Sequence, residues 1–169
     1  EEIDIFVNEK KLICEKLTGD EVARRVAELI KDQNVVGILQ NRMEFGPRAL
    51  GARSILGDAR SERMQTVLNL KIKFRESFRP FAPSVLEDRS RDFFDLDADS
   101  PYMLLTAPVA DQKINHNSKG VKADGIEKFK VNRSDIPAVT QVDYSARVQT
   151  VARDRNPLFY DIIKAFDEL

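Results

Sequence analysis

The chain has 169 residues, 42% hydrophobic and 33% charged, with a net charge of −1. That fits one globular domain able to bury a core and supplies no global field toward nucleic acid or a membrane. One cysteine, Cys14, and one histidine, His116, exclude an internal disulfide, a cysteine-based zinc site and a multi-histidine metal site.

No run of 18 apolar residues reads as a membrane span, and no signal-peptide pattern is present, so the expected compartment is the cytoplasm. The Glu-Glu start without Met reads as a piece of something longer. Ile3 to Val7 alternates apolar and polar residues and pairs, on this reading, with Lys11 to Cys14 as a short hairpin, which puts Cys14 on a strand. Thr18 and Glu21 form a capping box, and Val22, Val26, Leu29 and Ile30 share one face, so a helix is expected over Glu21 to Lys31. Val35 to Leu39 is short, apolar and β-branched, as a buried strand requires. Strand, helix and strand at this spacing open an α/β chain.

The next stretch, Arg42 to Val85, is the chemically distinctive one. Its basic residues are Arg42, Arg48, Arg53, Arg60, Arg63, Lys71, Lys73, Arg75 and Arg79; its acidic residues are Glu44, Asp58, Glu62 and Glu76. It therefore carries +5, and the remainder of the chain −6. The positive groups lie among Gly, Pro and aromatic residues that fix backbone shape. Cations on a rigid, irregular backbone suit a polyanionic small molecule; a basic patch with its charges paired to neighbouring carboxylates is the competing reading. Within the stretch, Ser54 to Leu56 reads as extended, and Ser61 as the cap of a helix with Met64, Val67, Leu68 and Ile72 inside. Phe78 to Val85, with Pro80 and Pro83, reads as an edge segment or loop. Phe45, Phe78, Phe81, Tyr102 and Met103 read as core.

Arg89 to Phe94 reads as a short helix before the acidic loop Asp95 to Asp99, and Tyr102 to Val109 as an internal strand. The polar segment 111–135, which holds His116, reads as a mobile excursion. Ala138 to Val142 and Ala146 to Val151 read as strands, with Val148 and Thr150 facing opposite to Arg147, Gln149 and Val151. Asn156-Pro157 opens a last helix packed inward by Leu158, Phe159, Ile162, Ile163 and Phe166.

Several of these blocks also match a known family. Arg42-Met43-Glu44-Phe45-Gly46-Pro47-Arg48-Ala49-Leu50-Gly51 with Arg53-Ser54-Ile55-Leu56 resembles the signature of the O-carbamoyltransferases, which include nodulation proteins and antibiotic-tailoring enzymes. Lys73 to Val85, Ser100 to Leu104, Pro137 to Thr140 and Ala146 to Val151 continue the match in the same order. The resemblance implies one YrdC-like α/β (α+β) domain over residues 1–169, a twisted mixed β-sheet flanked by helices. It implies that this domain makes carbamoyl-adenylate from ATP and carbamoyl phosphate, with Mg2+ accompanying the ATP. An N-terminal actin-like domain of the same polypeptide, which holds the family's metal ion, would then pass the carbamoyl group to a hydroxyl.

By matching positions, Arg48, Lys73 and Arg79 are the first choices for holding carbamoyl phosphate and for catalysis, and Arg53 and Arg75 the second. Ser84, Thr140, Asp143 and Arg147 are assigned to the nucleotide. Two departures stand out: Gln141 occupies the place of a family histidine, so no proton transfer is available there, and the family's later Asn-Thr-Ser-Phe-Asn motif is absent. The alternative is a YrdC-like module that binds RNA or nucleotide without carbamoyl transfer, whose sign is steeply salt-dependent binding.

Overall fold

The computed structural model describes residues 2–169. Helix α1 covers Glu2–Lys10 and α2 covers Gly19–Lys31. Strands β1 (Val36–Leu39) and β2 (Arg53–Leu56) follow, then α3 (Met64–Val67), which runs directly into a π-helical turn, Leu68–Lys73. After β3 (Ser84–Leu86) come a 3-10 turn, Glu87–Arg89, and α4 (Ser90–Phe93). β4 (Leu105–Pro108), three 3-10 turns between Asp111 and Lys130, β5 (Ser145–Val151) and α5 (Pro157–Asp167) complete the chain.

The fold is mixed α/β, with two small sheets. β1 and β2 pair antiparallel, Gly37 opposite Ile55. In the second sheet β5 is central, parallel to β3 with Ser84 opposite Gln149, and antiparallel to β4 with Thr106 opposite Arg147. β5 has the longest run and is buried along most of its length, as a central strand must be. Its Ala146 and Val148 meet Val85, Phe94, Ala107, Val109, Ile136 and Val139 in the main core. α2 and α5 pack against each other. α2 buries Ala23, Ala27 and Ile30, and the two alanines let the helices approach closely. Val22, Val26 and Leu29 flank that line, half-buried.

The local signals at both of these helices hold. The Thr18 amide and hydroxyl both donate to Glu21, at 2.8 and 2.7 Å. The Asn156 side chain accepts from the Phe159 amide, with Pro157 in the first turn of α5. β2, the helical turn before Asp95 and β5 also lie where the sequence places them.

Other expectations are corrected. The N-terminal hairpin is a helix. Glu2 and Asp4 at its start and Lys10 at its end suit the helix dipole. A left-handed Lys11 closes it, with the Leu12 amide donating to Val7 O and the Lys11 amide to Asn8 O, the paired bonds of a Schellman cap. α1 buries no side chain, so local terms decide its form. Cys14 is exposed in the coil that follows, not on a strand.

The segment from Ala138 to Val142 is a turn rather than a strand. The Thr140 hydroxyl donates to Ile136 O at 2.9 Å, and such a bond holds the backbone in a turn. The expected strand from Tyr102 starts only at Leu105, because Met103 sits in the left-handed region and closes a turn onto Ser100. β4 is an edge strand, not an internal one. Ser61 does not cap α3, which begins at Met64, and Ile72 is exposed. β1 is half-buried rather than buried, with Leu39 76% exposed. Phe45 and Tyr102 are exposed, not core, whereas Met103 is buried.

Segment 111–135 closes on itself at its base. Ile114 bridges Ser134, and the Asn115 amide donates to Arg133 O at 2.8 Å. Its far end lies against the basic stretch: Phe129 stacks on Phe78 at 4.6 Å, and Asn132 Nδ2 donates to Glu62. His116 begins a 3-10 turn, its side chain more than half exposed and 3.6 Å from Asp111. No helix among the described residues is long and apolar enough to cross a membrane.

Candidate functional site

The basic stretch folds into two loops, each built around a different polar anchor. The first is the β1–β2 loop. Glu44 Oε1 accepts the backbone amides of Leu50 and Ala52 at 2.7 Å each and of Arg53 at 3.3 Å. Burial works to raise the Glu44 carboxyl, but these amides outweigh it and hold it below the ordinary glutamate value. Arg53 spends its guanidinium on the same loop, donating to Gln40 O, Ala52 O and Asn41 O. Gln149 Nε2 donates to Leu50 O at 3.0 Å, and Gln149 Oε1 accepts the Ser84 hydroxyl at 2.9 Å. The end of the loop is thereby fastened across β3 and β5.

Arg48 projects from this braced loop. Its Nε is buried and has no hydrogen-bond partner. Glu44, the nearest acid in sequence, is committed to backbone amides, and among the described residues Arg48 has no ion pair. Arg147 lies two residues before Gln149 on β5, on the same face, and is exposed. Thus Ser84, Gln149, Arg147 and the Arg48 loop form one neighbourhood.

The second loop follows the π-helical turn. Asn69, fully buried, donates from Nδ2 to Ser77 O at 3.0 Å and to Arg79 O at 2.8 Å. Its Oδ1 accepts Arg75 Nε at 2.6 Å. Gln65, one turn earlier, donates to Phe78 O at 2.9 Å. Arg75 also lies over the Phe81 ring, 4.9 Å from its centroid, so this arginine is held inside the loop. Arg79 pairs with Glu76 at 2.9 Å, both side chains more than half exposed. An exposed pair of this kind contributes about 0–1 kcal/mol and yields readily to a better anion. Lys73 is exposed and, among the described residues, its ammonium has no partner.

The remaining assigned residues are partnered within the fold. Thr140 is buried, bonded to Ser134 as well as to Ile136. Asp143 accepts the Ser145 hydroxyl at 2.7 Å and the Ser145 amide at 3.1 Å, which lowers its carboxyl below the ordinary aspartate value. Sequence patterning gave no sign of Glu44, Gln65, Asn69 or Gln149 as anchors. A lone amide or carboxylate inside a basic run reads as a surface group until its contacts are known.

Two cavities bear on what could bind. One of about 100 Å³ lies under the Phe78–Phe129 stack, lined also by Gln65, Pro80, Thr140 and Gln141. That is below the roughly 300–1,000 Å³ of a typical small-molecule site. The other, about 510 Å³, is lined by Asp95, Asp97 and Asp111, with Arg91 already paired to Asp97 at 3.3 Å. Its charge repels a polyanion despite its size. Neither of these two cavities is lined by Arg48, Lys73 or Arg79.

Residues 27–169 match the model of the carbamoyltransferase C-terminus family. An uncharacterized protein of Synechocystis sp., sll1178, is 46% identical over 172 residues, taking in 100% of this chain and 28% of that protein. The nodulation protein NolNO of Sinorhizobium fredii is 42% identical over 150 residues, 87% of this chain and 19% of NolNO. The nodulation protein NolO of Bradyrhizobium diazoefficiens is 39% identical over 151 residues, 88% of this chain and 24% of NolO. The chain thus spans less than a third of the length of each of these relatives. By this match, running from the end of α2 through α5, the chain belongs to the carbamoyltransferase C-terminus family.

Proposed function

We propose that the chain is the part of an ATP-dependent O-carbamoyltransferase that binds carbamoyl phosphate and ATP and forms carbamoyl-adenylate. A carbamoyl group would then pass to a hydroxyl acceptor on an N-terminal actin-like domain of the same polypeptide. The observation that carries this reading is Arg48. It is a guanidinium on a braced loop, with a buried Nε that has no hydrogen-bond partner and, among the described residues, no ion pair. A buried polar group without a partner costs roughly 1–3 kcal/mol, more when charged, and an anionic ligand removes that cost.

In the proposed reaction, carbamoyl phosphate and water yield phosphate and the carbamate oxygen that attacks the α-phosphorus of ATP. The bond from that phosphorus to the bridging oxygen breaks, and pyrophosphate leaves with the electron pair. Two polyanions must be held together while charge grows on the α-phosphoryl oxygens. Cations placed beforehand by rigid backbone meet that demand without reorganising. Arg48, Lys73 and Arg79 take the carbamoyl phosphate. Ser84 and Arg147, on adjacent strands beside the Arg48 loop, take the nucleotide phosphates, and Mg2+ accompanying the ATP would offset part of their charge. Arg53 and Arg75 hold their loops in shape.

The test is carbamoyl-phosphate-dependent ATP–pyrophosphate exchange in the full-length protein. Exchange that disappears in Arg48→Ala and Arg79→Ala, with folding intact by circular dichroism, is the expected result. No exchange in the unaltered protein, or unimpaired exchange in both variants, overturns the proposal. Steeply salt-dependent binding of RNA without any exchange would identify a binding module instead.

A further inference from the structure

We infer that Gln65 and Asn69 are positioning residues that aim Arg79. They lie four apart, so both face the same side of the α3–π-helical segment. Between them they donate to three consecutive carbonyls, those of Ser77, Phe78 and Arg79. Asn69 uses both amide protons in this way, and its oxygen accepts Arg75 Nε. Both of its donors are engaged and the side chain is fully buried, so it has no solvent contact to exchange for these bonds.

The surrounding backbone shows why such anchors are needed. The segment from Phe74 to Arg79 belongs to no regular element apart from its turns. Phe74 reverses the chain in the left-handed region, which a side chain other than glycine enters at a cost. The Arg75 amide then returns to Asn69 O at 3.0 Å. Residues 75–79 thus wrap around one buried amide, and the π-helical turn places that amide at the centre of the loop. π-turns inside helices recur at functional positions. Arg79 emerges from the last anchored carbonyl, and among the described residues its guanidinium has only the exposed Glu76 as ion-pair partner. The anchors fix the backbone and leave the charged end free for a ligand.

This inference rests on reading Arg79 as a carbamoyl phosphate ligand, and the experiment separates the two. In the full-length protein, carbamoyl phosphate and ATP affinities are measured by calorimetry for the unaltered protein, Gln65→Leu and Asn69→Asp. Arg79 Nε–Hε heteronuclear NOEs are recorded on the same samples without ligand. Gln65 is half-buried, so its leucine variant keeps the test available if Asn69→Asp fails to fold. The expected result for Gln65→Leu is about a tenfold loss of carbamoyl phosphate affinity, the equivalent of one charge-assisted hydrogen bond. ATP affinity should stay within about twofold, and the Arg79 NOE should fall.

A purely structural role would lower the melting temperature and leave the affinity and NOE of the folded protein unchanged, and that outcome overturns the inference. Weaker binding with an unchanged Arg79 NOE overturns it too, because the effect would not pass through Arg79. If the unaltered protein fails to bind carbamoyl phosphate, the functional reading falls, and the inference with it. If the unaltered protein and Gln65→Leu bind equally well, only the positioning role is refuted.

Discussion

Glu44→Ala should unfold the protein at a markedly lower temperature, although Glu44 lies in a loop and not in a core. Its single oxygen Oε1 takes the amides of Leu50 and Ala52 at 2.7 Å, and Ala52 is buried. A hydrogen bond to a charged group contributes roughly 1.5–3 kcal/mol. The loop is partly solvated, so the lower end applies to each, giving about 3 kcal/mol for the two short bonds. At about 2–4 °C per kcal/mol for a chain of this size, the midpoint should fall by about 6–12 °C. Glu44→Gln keeps an oxygen acceptor and loses only the charge. Since charge-assisted bonds are roughly twice as strong as neutral ones, it should fall by about half as much.

Thermal unfolding followed by circular dichroism measures both variants. The pH dependence supplies a second check. The folded Glu44 carboxyl sits below the ordinary glutamate value of about 4.3. Its contribution is therefore complete above that value and is lost as pH falls through the lower folded value. The difference between the unaltered protein and Glu44→Gln should shrink on acidification through that window. A Glu44→Ala protein within about 0.5 kcal/mol of the unaltered one at neutral pH would refute the claim that this carboxylate shapes the Arg48 loop.

Two further substitutions test how the site is supported. Gly51 has φ +107°, and a Cβ there would lie 2.8 Å from Phe159 Cγ and 2.9 Å from Asn156 Nδ2. Gly51→Ala should cost about 2 kcal/mol or more by denaturant unfolding, from backbone strain and overpacking together, and an unchanged midpoint would argue against this packing of the loop on α5. Asp58 is buried and accepts Gln33 Nε2 at 3.0 Å and Arg60 N, Nε and Nη2 at 2.8, 3.0 and 3.1 Å. Asp58→Ala should cost about 3 kcal/mol, the lower end for breaking a buried pair because Arg60 is partly solvated, and a chemical melt within about 1 kcal/mol of the unaltered protein would contradict it.

Much of this molecule is written in short-range patterns. The capping box at Thr18 and the Asn156-Pro157 start of α5 need only a few neighbouring residues, so they were readable and they hold. The family is legible for a different reason: several long blocks occur in one order. The alternation at Ile3, Ile5 and Val7 is compatible with a strand, while the helical form of α1 depends on charge placement and a left-handed Lys11. Ala138 to Val142 looked like a strand because its residues are apolar, yet one hydroxyl bond from Thr140 bends it.

The charge of the site was equally plain from Arg42 to Val85, but the disposition of each cation was not. Arg53 and Arg75 look like Arg48 and Arg79 in a string of letters. Only the folded chain shows that the first pair is turned onto backbone carbonyls and onto Asn69. The sequence by itself settled the family, the starts of α2 and α5 and the excess of positive charge, because these depend on residue type and spacing along the chain. The tertiary structure decided which of those charges remain uncompensated. That depends on partners far away in sequence, such as Gln149, whose Nε2 donates to Leu50 O across 99 positions and fastens the loop that carries Arg48.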